Sequence, residues 1–113
     1  MTLKEIASNL GLEVKHGESL LGVEVSRGYM SDLLSDVIAN SRAGDLWITL
    51  QIHPNIVAVA VMKEISGILI IGGRQPEEET LKKAEKEEVP ILSSELPAFE
   101  VCGRLYSLGV RGI

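Results

Sequence analysis

Three polar side chains, Gln51, His53 and Asn55, interrupt the apolar run between Trp47 and Ala60 at alternating positions. A second apolar run, Gly67–Ile71, ends in Gly72-Gly73-Arg74. Together these residues offer carboxamides, an imidazole, a guanidinium and a backbone that a ligand can approach closely. That set suits a small anion, which needs hydrogen-bond donors and a positive charge. Each residue alone has a plain structural reading. Gly72-Gly73 can make a tight turn, Arg74 can be a solvated loop residue, and His53 can cap a helix begun at Pro54. Their convergence on one edge of a sheet is what argues for a ligand site.

Other chemistry finds less support. There is no GxxxxGK[ST] phosphate loop, no GxSxG elbow, no HExxH and no pair of cysteines. His16 and His53 lie far apart and no third ligand stands at a diagnostic spacing, so no metal and no cofactor is expected. His53 lacks a paired nucleophile or acid, which ranks a small enzyme last. Asp32 and Asp36, four apart, read as residues that cap and solubilise a helix. Cys102 falls with Phe99, Leu105 and Tyr106 on the apolar stripe of the last helix and reads as a buried structural thiol.

Bulk properties narrow the class. A formal net charge of -5 without a basic patch argues against nucleic acid. One cysteine excludes an intrachain disulfide, and the polar, amphipathic MTLKEIASNL opening has no signal-like apolar core. The longest apolar runs, Ile56–Met62 and Ile68–Ile71, are too short to cross a bilayer. A cytoplasmic protein of one domain, residues 1–113, without membrane contact is the expectation.

The elements that must position the candidate site follow from punctuation and period. Thr2-x-x-Glu5 has capping-box spacing, and Leu3, Ile6, Ala7 and Leu10 make a helical stripe ended by Gly11. Residues 12–16 and 21–25 alternate, which predicts a strand pair around Gly17. Ser31 or Asp32 can cap a helix to about Ser41, with Leu33, Leu34, Val37 and Ile38 facing inward. A strand follows at 46–50, and Pro54 marks the first turn of a helix. Gly67–Ile71 is unbroken and branched, as a parallel strand buried on both faces must be. Pro76 starts an acidic-to-basic helix with Glu78–Lys82 and Glu79–Lys83 pairs. Residues 89–93 form a strand and 96–108 the last helix. The order predicts an α/β domain, a three-layer sandwich with a mainly parallel sheet.

Residues 56–62 would be apolar on every side of a helix and need partners on every side. Burial against a second copy predicts a homodimer through Ile56, Val57, Val59 and Ala60; cover wholly within the domain is the alternative.

The chain resembles a stand-alone DRTGG domain over nearly its whole length. The resemblance rests on Gly28-Tyr29-Met30, on Ala43-Gly44-Asp45 with Ile48-Thr49, on Gly67–Pro76 and on Val89–Ser93. The family's "TGG" falls on Ile71-Gly72-Gly73, matching both glycines but not the threonine. Its "DR" falls on Ile52-His53, and neither matches. The fold is similar to the N-terminal domain of HPr kinase/phosphorylase, whose kinase chemistry resides in a separate P-loop domain that this sequence lacks. The resemblance implies a non-catalytic regulatory or ligand-sensing domain, dimeric, taking a small anionic ligand or nucleotide. A protein-interaction subunit without a small ligand, met by a partner protein at 56–62 or at the acidic 76–88 helix, is the alternative.

Overall fold

Strands rich in branched apolar residues need cover on both faces, and the computed structural model, which describes residues 1–113, supplies it. The chain runs α1 (Leu3–Leu10), β1 (Glu13–His16), β2 (Arg27–Met30), α2 (Leu34–Asn40), β3 (Asp45–Thr49), α3 (Asn55–Lys63), β4 (Gly67–Ile70), α4 (Glu78–Glu87), β5 (Ile91–Ser93) and α5 (Ala98–Leu108). Five strands form one sheet in the order β1-β5-β4-β3-β2; β2 to β5 are mutually parallel and only β1 is antiparallel. This is the expected α/β sandwich.

Alternation along each strand divides the core in two. Leu46, Ile48, Leu69, Ile71 and Leu92 point to α1 and α5, which contribute Leu3, Ile6, Val101 and Leu105. Trp47, Ile68, Ile70 and Ile91 point to the other face, against Val37 of α2, Ile56, Val57 and Ala60 of α3, and Ala84 of α4. Every β3 residue from Asp45 to Thr49 and every β4 residue is buried, as central strands covered on both sides require.

Local signals hold at several ends. Thr2 and Glu5 form the reciprocal capping box, and Gly11 ends α1 in the left-handed conformation. Gly109 ends α5 in the same way. Of the α4 ion pairs, Lys82 reaches Glu78 and Glu79, whereas Glu79–Lys83 is not formed.

The first half departs from expectation. Residues 21–25 form no strand beside 12–16; Leu21 and Val25 bury into the α1/α5 core, and only Thr2 and Glu24 bridge. β1 instead pairs with β5, so its partner lies at the far end of the chain. Helix α2 begins at Leu34 with neither Ser31 nor Asp32 as its cap. Only Val37 of the four inward candidates is fully buried, while Leu33 and Ile38 are exposed, because a helix of two turns has room for one inward row.

Helix α3 forms as expected, but the dimer residues assigned to it do not have a free face. Ile56, Val57, Val59 and Ala60 are all buried within the chain's own layer. The large exposed apolar residues of α3 are Val61 and Met62 at its end. Likewise the stripe assigned to α5 is split, with Leu105 alone of its members fully turned inward. Val101 and Leu105 meet the sheet, whereas Phe99 is 90% exposed, Tyr106 is 60% exposed and Cys102 is half-buried.

Candidate functional site

Where the chain goes after each strand decides where a ligand can enter. β2, β3 and β4 all lead to helices on one face, while β5 leads to α5 on the other. The two connections diverge between the neighbouring strands β4 and β5, the position where an open sheet forms a crevice at its carboxyl edge. Gly72-Gly73 stands on one lip and Ser94-Glu95 on the other.

That crevice is zipped by backbone. The Gly72 amide donates to Leu96 O at 2.8 Å, the Gly73 amide to Ser94 O at 3.0 Å and the Ser94 amide to Ile70 O at 2.9 Å. Both glycines have positive φ, 68° and 72°, so they supply the turn that a side chain would strain. Their amides are therefore engaged within the chain rather than offered to an anion. Glu95, which no strand or helix pattern singled out, closes over the turn: a Cβ on Gly73 would lie 2.5 Å from its Oε2. The exposed Arg74 side chain, next in sequence, forms no ion pair.

The β3–α3 connection stands beside it, since Thr49 and Ile70 are register partners and Leu50 touches the Gly72 turn. His53 Nδ1 accepts the Asn55 amide at 3.0 Å, which places the proton of the neutral ring on Nε2 and leaves that donor outward. His53 thus caps α3 and still carries a free N–H; the Asn55 side chain is exposed. Gln51 is committed elsewhere. Its Nε2 donates to Asp32 O at 2.8 Å, and its amide donates to Thr49 Oγ1. Asp32 Oδ1 in turn accepts Thr49 Oγ1 at 2.8 Å and the Leu50 amide at 2.7 Å, so Asp32 clasps the end of β3 instead of capping α2. The Ile52 carbonyl accepts from Thr80 Oγ1 and from the Glu77 amide, tying this loop to the first turn of α4.

The fold therefore brings His53, Asn55, Gly72, Gly73 and Arg74 to one edge, with Gln51 behind them as a structural clasp. The surface is shallow. Two cavities lie along α5, one of about 540 Å³ beside Leu10, Phe99 and Ser107 and one of about 270 Å³ beside Met30, Cys102 and Tyr106. Others of about 360 and 390 Å³ lie between Pro54 and Lys82 and between Ser19 and Glu88. Burial pushes the Cys102 thiol up from its ordinary value.

Asp32 and Asp36 do not act as a pair. Asp36 accepts Tyr29 Oη at 2.7 Å and Asn40 Nδ2 at 2.9 Å, and these bonds hold its carboxyl below the usual range. The same contact raises the Tyr29 phenol. No three His, Cys, Asp or Glu side chains converge as metal ligands, and no helix is long and apolar enough to cross a membrane.

The opposite end of the sheet holds the strongest buried polar cluster. Arg27 Nε and Nη2 donate to Asp45 at 2.7 and 3.0 Å, and the guanidinium also reaches Gly112 O and Asn40 O. Asp45 is fully buried and accepts the Arg42 amide as well. Arg27 and Asp45 are direct register partners, a relation invisible until β2 is placed at 27–30.

Compared with known proteins, residues 5–108 match the model of the DRTGG domain. No curated protein matches the sequence. Among solved structures, the CBS and DRTGG domains of the regulatory region of Clostridium perfringens pyrophosphatase, complexed with the activator diadenosine tetraphosphate, are similar in fold. The TM-score is 0.71 at 17% identity, over 92% of this chain and 45% of that one. This chain thus spans less than half of that structure's length.

Proposed function

The chain belongs to the DRTGG domain family, and from that premise we propose that it is a non-catalytic, ligand-sensing regulatory domain of the cytoplasm that acts as a homodimer. Its ligand is a small anion, of the nucleotide or phosphorylated-metabolite class, held at the carboxyl edge of the sheet by His53 Nε2, the Asn55 carboxamide and Arg74. The observation that carries this reading is the divergence of the β4 and β5 connections at Gly72-Gly73, with an unpaired guanidinium beside them. The nucleotide activator bound by the pyrophosphatase regulatory region supports the ligand class.

We infer that the zipped glycine turn is one of two states of the site. In the closed state the Gly72 and Gly73 amides hold the β5–α5 connection, and Glu95 occupies the mouth. An anion favours a state with Glu95 displaced, and regulation follows from that difference in affinity. The replacement of the family's Asp-Arg pair by Ile52 and His53 leaves Arg74 as the cation of the site.

A thermal-shift screen of nucleotides, diadenosine tetraphosphate and phosphorylated metabolites tests the reading. A compound that raises Tm in the wild type and fails to do so in both His53→Ala and Arg74→Ala supports it. A compound that stabilises all three proteins equally binds elsewhere and overturns the site.

A further inference from the structure

Helix α5 carries its most exposed side chains where a surface helix is usually polar. Phe99 and Tyr106, at 90% and 60% exposure, lie two turns apart on the face opposite Val101 and Leu105, which meet the sheet. Between them Gly103 faces solvent, and a Cβ there would meet nothing within 4 Å. An exposed aromatic ridge with a glycine at its centre is unusual for a surface that only water covers. Grooves of about 540 and 270 Å³ flank it on either side.

The occupant is written in the ridge's own symmetry. At 100° per residue, Phe99, Cys102 and Tyr106 lie to one side of Gly103, whereas Glu100, Arg104 and Ser107 lie to the other. A two-fold axis that passes between two antiparallel copies of α5, level with Cys102 and Gly103, keeps each side facing its own kind. It sets Phe99 level with Tyr106 of the second copy, and Tyr106 level with Phe99. It also brings Glu100 to within about 1.5 Å, along the helix axis, of Arg104 of the second copy. In the single chain Glu100 and Arg104 make a loose exposed pair at 3.6 Å. Under the two-fold the same charges pair between copies, twice. The absent side chain at Gly103 lets the helix backbones approach at the crossing.

We propose that the α5 ridge is the surface on which a second copy of this chain docks, an isologous antiparallel pairing with Phe99 against Tyr106 and Glu100 against Arg104. This rests on the homodimer reading above and moves its contact from α3 to α5. A stable pair covers roughly 800 Å² on each partner, more than one 11-residue helix presents, so the flanking grooves are covered as well. Met30 on the edge strand β2, which lines the smaller groove, is drawn into the contact.

Charge reversal tests the pairing without disturbing the core, because Glu100 and Arg104 are both 55% exposed at the side chain. Sedimentation velocity is measured for the wild-type chain, Glu100→Arg, Arg104→Glu and an equimolar mixture of the two variants. The wild type is expected at twice the 12.2 kDa chain mass. Each variant alone places like charges together across the two-fold and weakens the dimer about tenfold or more. The mixture restores the pairs between unlike copies and recovers the dimer. Circular dichroism melting checks that each variant is folded.

A wild type that stays monomeric at the highest soluble concentration overturns the dimer and this surface together. A dimer unmoved in both variants overturns this surface and leaves a dimer through another one. Variants that dissociate but do not recombine overturn the antiparallel register.

Discussion

Removing the Glu95 carboxylate should tighten anion binding at the Gly72–Arg74 turn. Glu95 Oε2 stands 2.5 Å from where a Gly73 Cβ would be, so a ligand oxygen at that turn would sit about 4–5 Å from it, where two like unit charges repel by about 1 kcal/mol in a near-aqueous dielectric. The water value applies because Glu95 is exposed. Glu95→Gln keeps the shape and deletes the charge, so the Kd of a ligand should fall roughly fivefold for each negative charge brought to the turn. Stability should not change, since Glu95 joins no ion pair in the chain. Isothermal titration with diadenosine tetraphosphate, and with inorganic pyrophosphate as a less charged anion without a base, reads the effect at low and high salt. The gain should shrink at high salt, where exposed charges are screened. Equal affinity in Glu95→Gln and wild type, or a gain that ignores salt, would refute the assigned position of the anion.

The scaffold yields further expectations. Arg27→Met strands the fully buried Asp45 with the Arg42 amide as its remaining donor and should cost about 3–5 kcal/mol in urea unfolding; pairing it with Asp45→Leu should recover most of that loss. A Cβ on Gly67 would sit 2.8 Å from Leu3 Cδ2 in the core, so Gly67→Ala should destabilise by about 1–3 kcal/mol, read as a lower urea midpoint with unchanged slope. Thr2→Ala removes the capping box of α1 and should cost about 1 kcal/mol at neutral pH. Hydrogen bonds from the Thr2 amide, then its hydroxyl, lower the Glu5 pKa in the folded chain. Their stabilisation is therefore present above the unfolded carboxylate value and lost as pH falls through the folded one. The stability curves of Thr2→Ala and wild type should converge on the acid side.

What could be read from the sequence depended on how local the determining contacts are. β3, β4 and the starts of the helices after them were legible because each strand is buried on both faces and Pro54 and Pro76 precede α3 and α4, whereas those helices end on Glu64 and Glu88 without a glycine stop signal. β1 was placed correctly but its partner was not, because β5 joins it from the other end of the chain. The strand expected at 21–25 dissolved because Leu21 and Val25 bury without pairing. At the candidate site the residue types were visible, but their engagement was not. Nothing in a sequence reveals that the Gly72 and Gly73 amides already have acceptors, or that Gln51 is held by Asp32. The α3 residues assigned to a dimer are those most apolar by type, and the fold buried them first. The α5 ridge is hidden in the sequence because Phe99, Cys102 and Tyr106 fall with Leu105 on one apparent core stripe, and only the burial of Val101 and Leu105 shows which side faces inward.

Ligand binding at the carboxyl edge of the sheet is tested most directly by an amide chemical-shift titration of the 113-residue chain with the best compound from the thermal-shift screen. Saturable shifts are expected at His53, Asn55, Gly72, Gly73 and Arg74, with Ser94 and Leu96 following as the zipped amide bonds rearrange. Shifts confined to the α5 grooves, or no shifts at the strand ends under saturating ligand, would contradict binding at that edge.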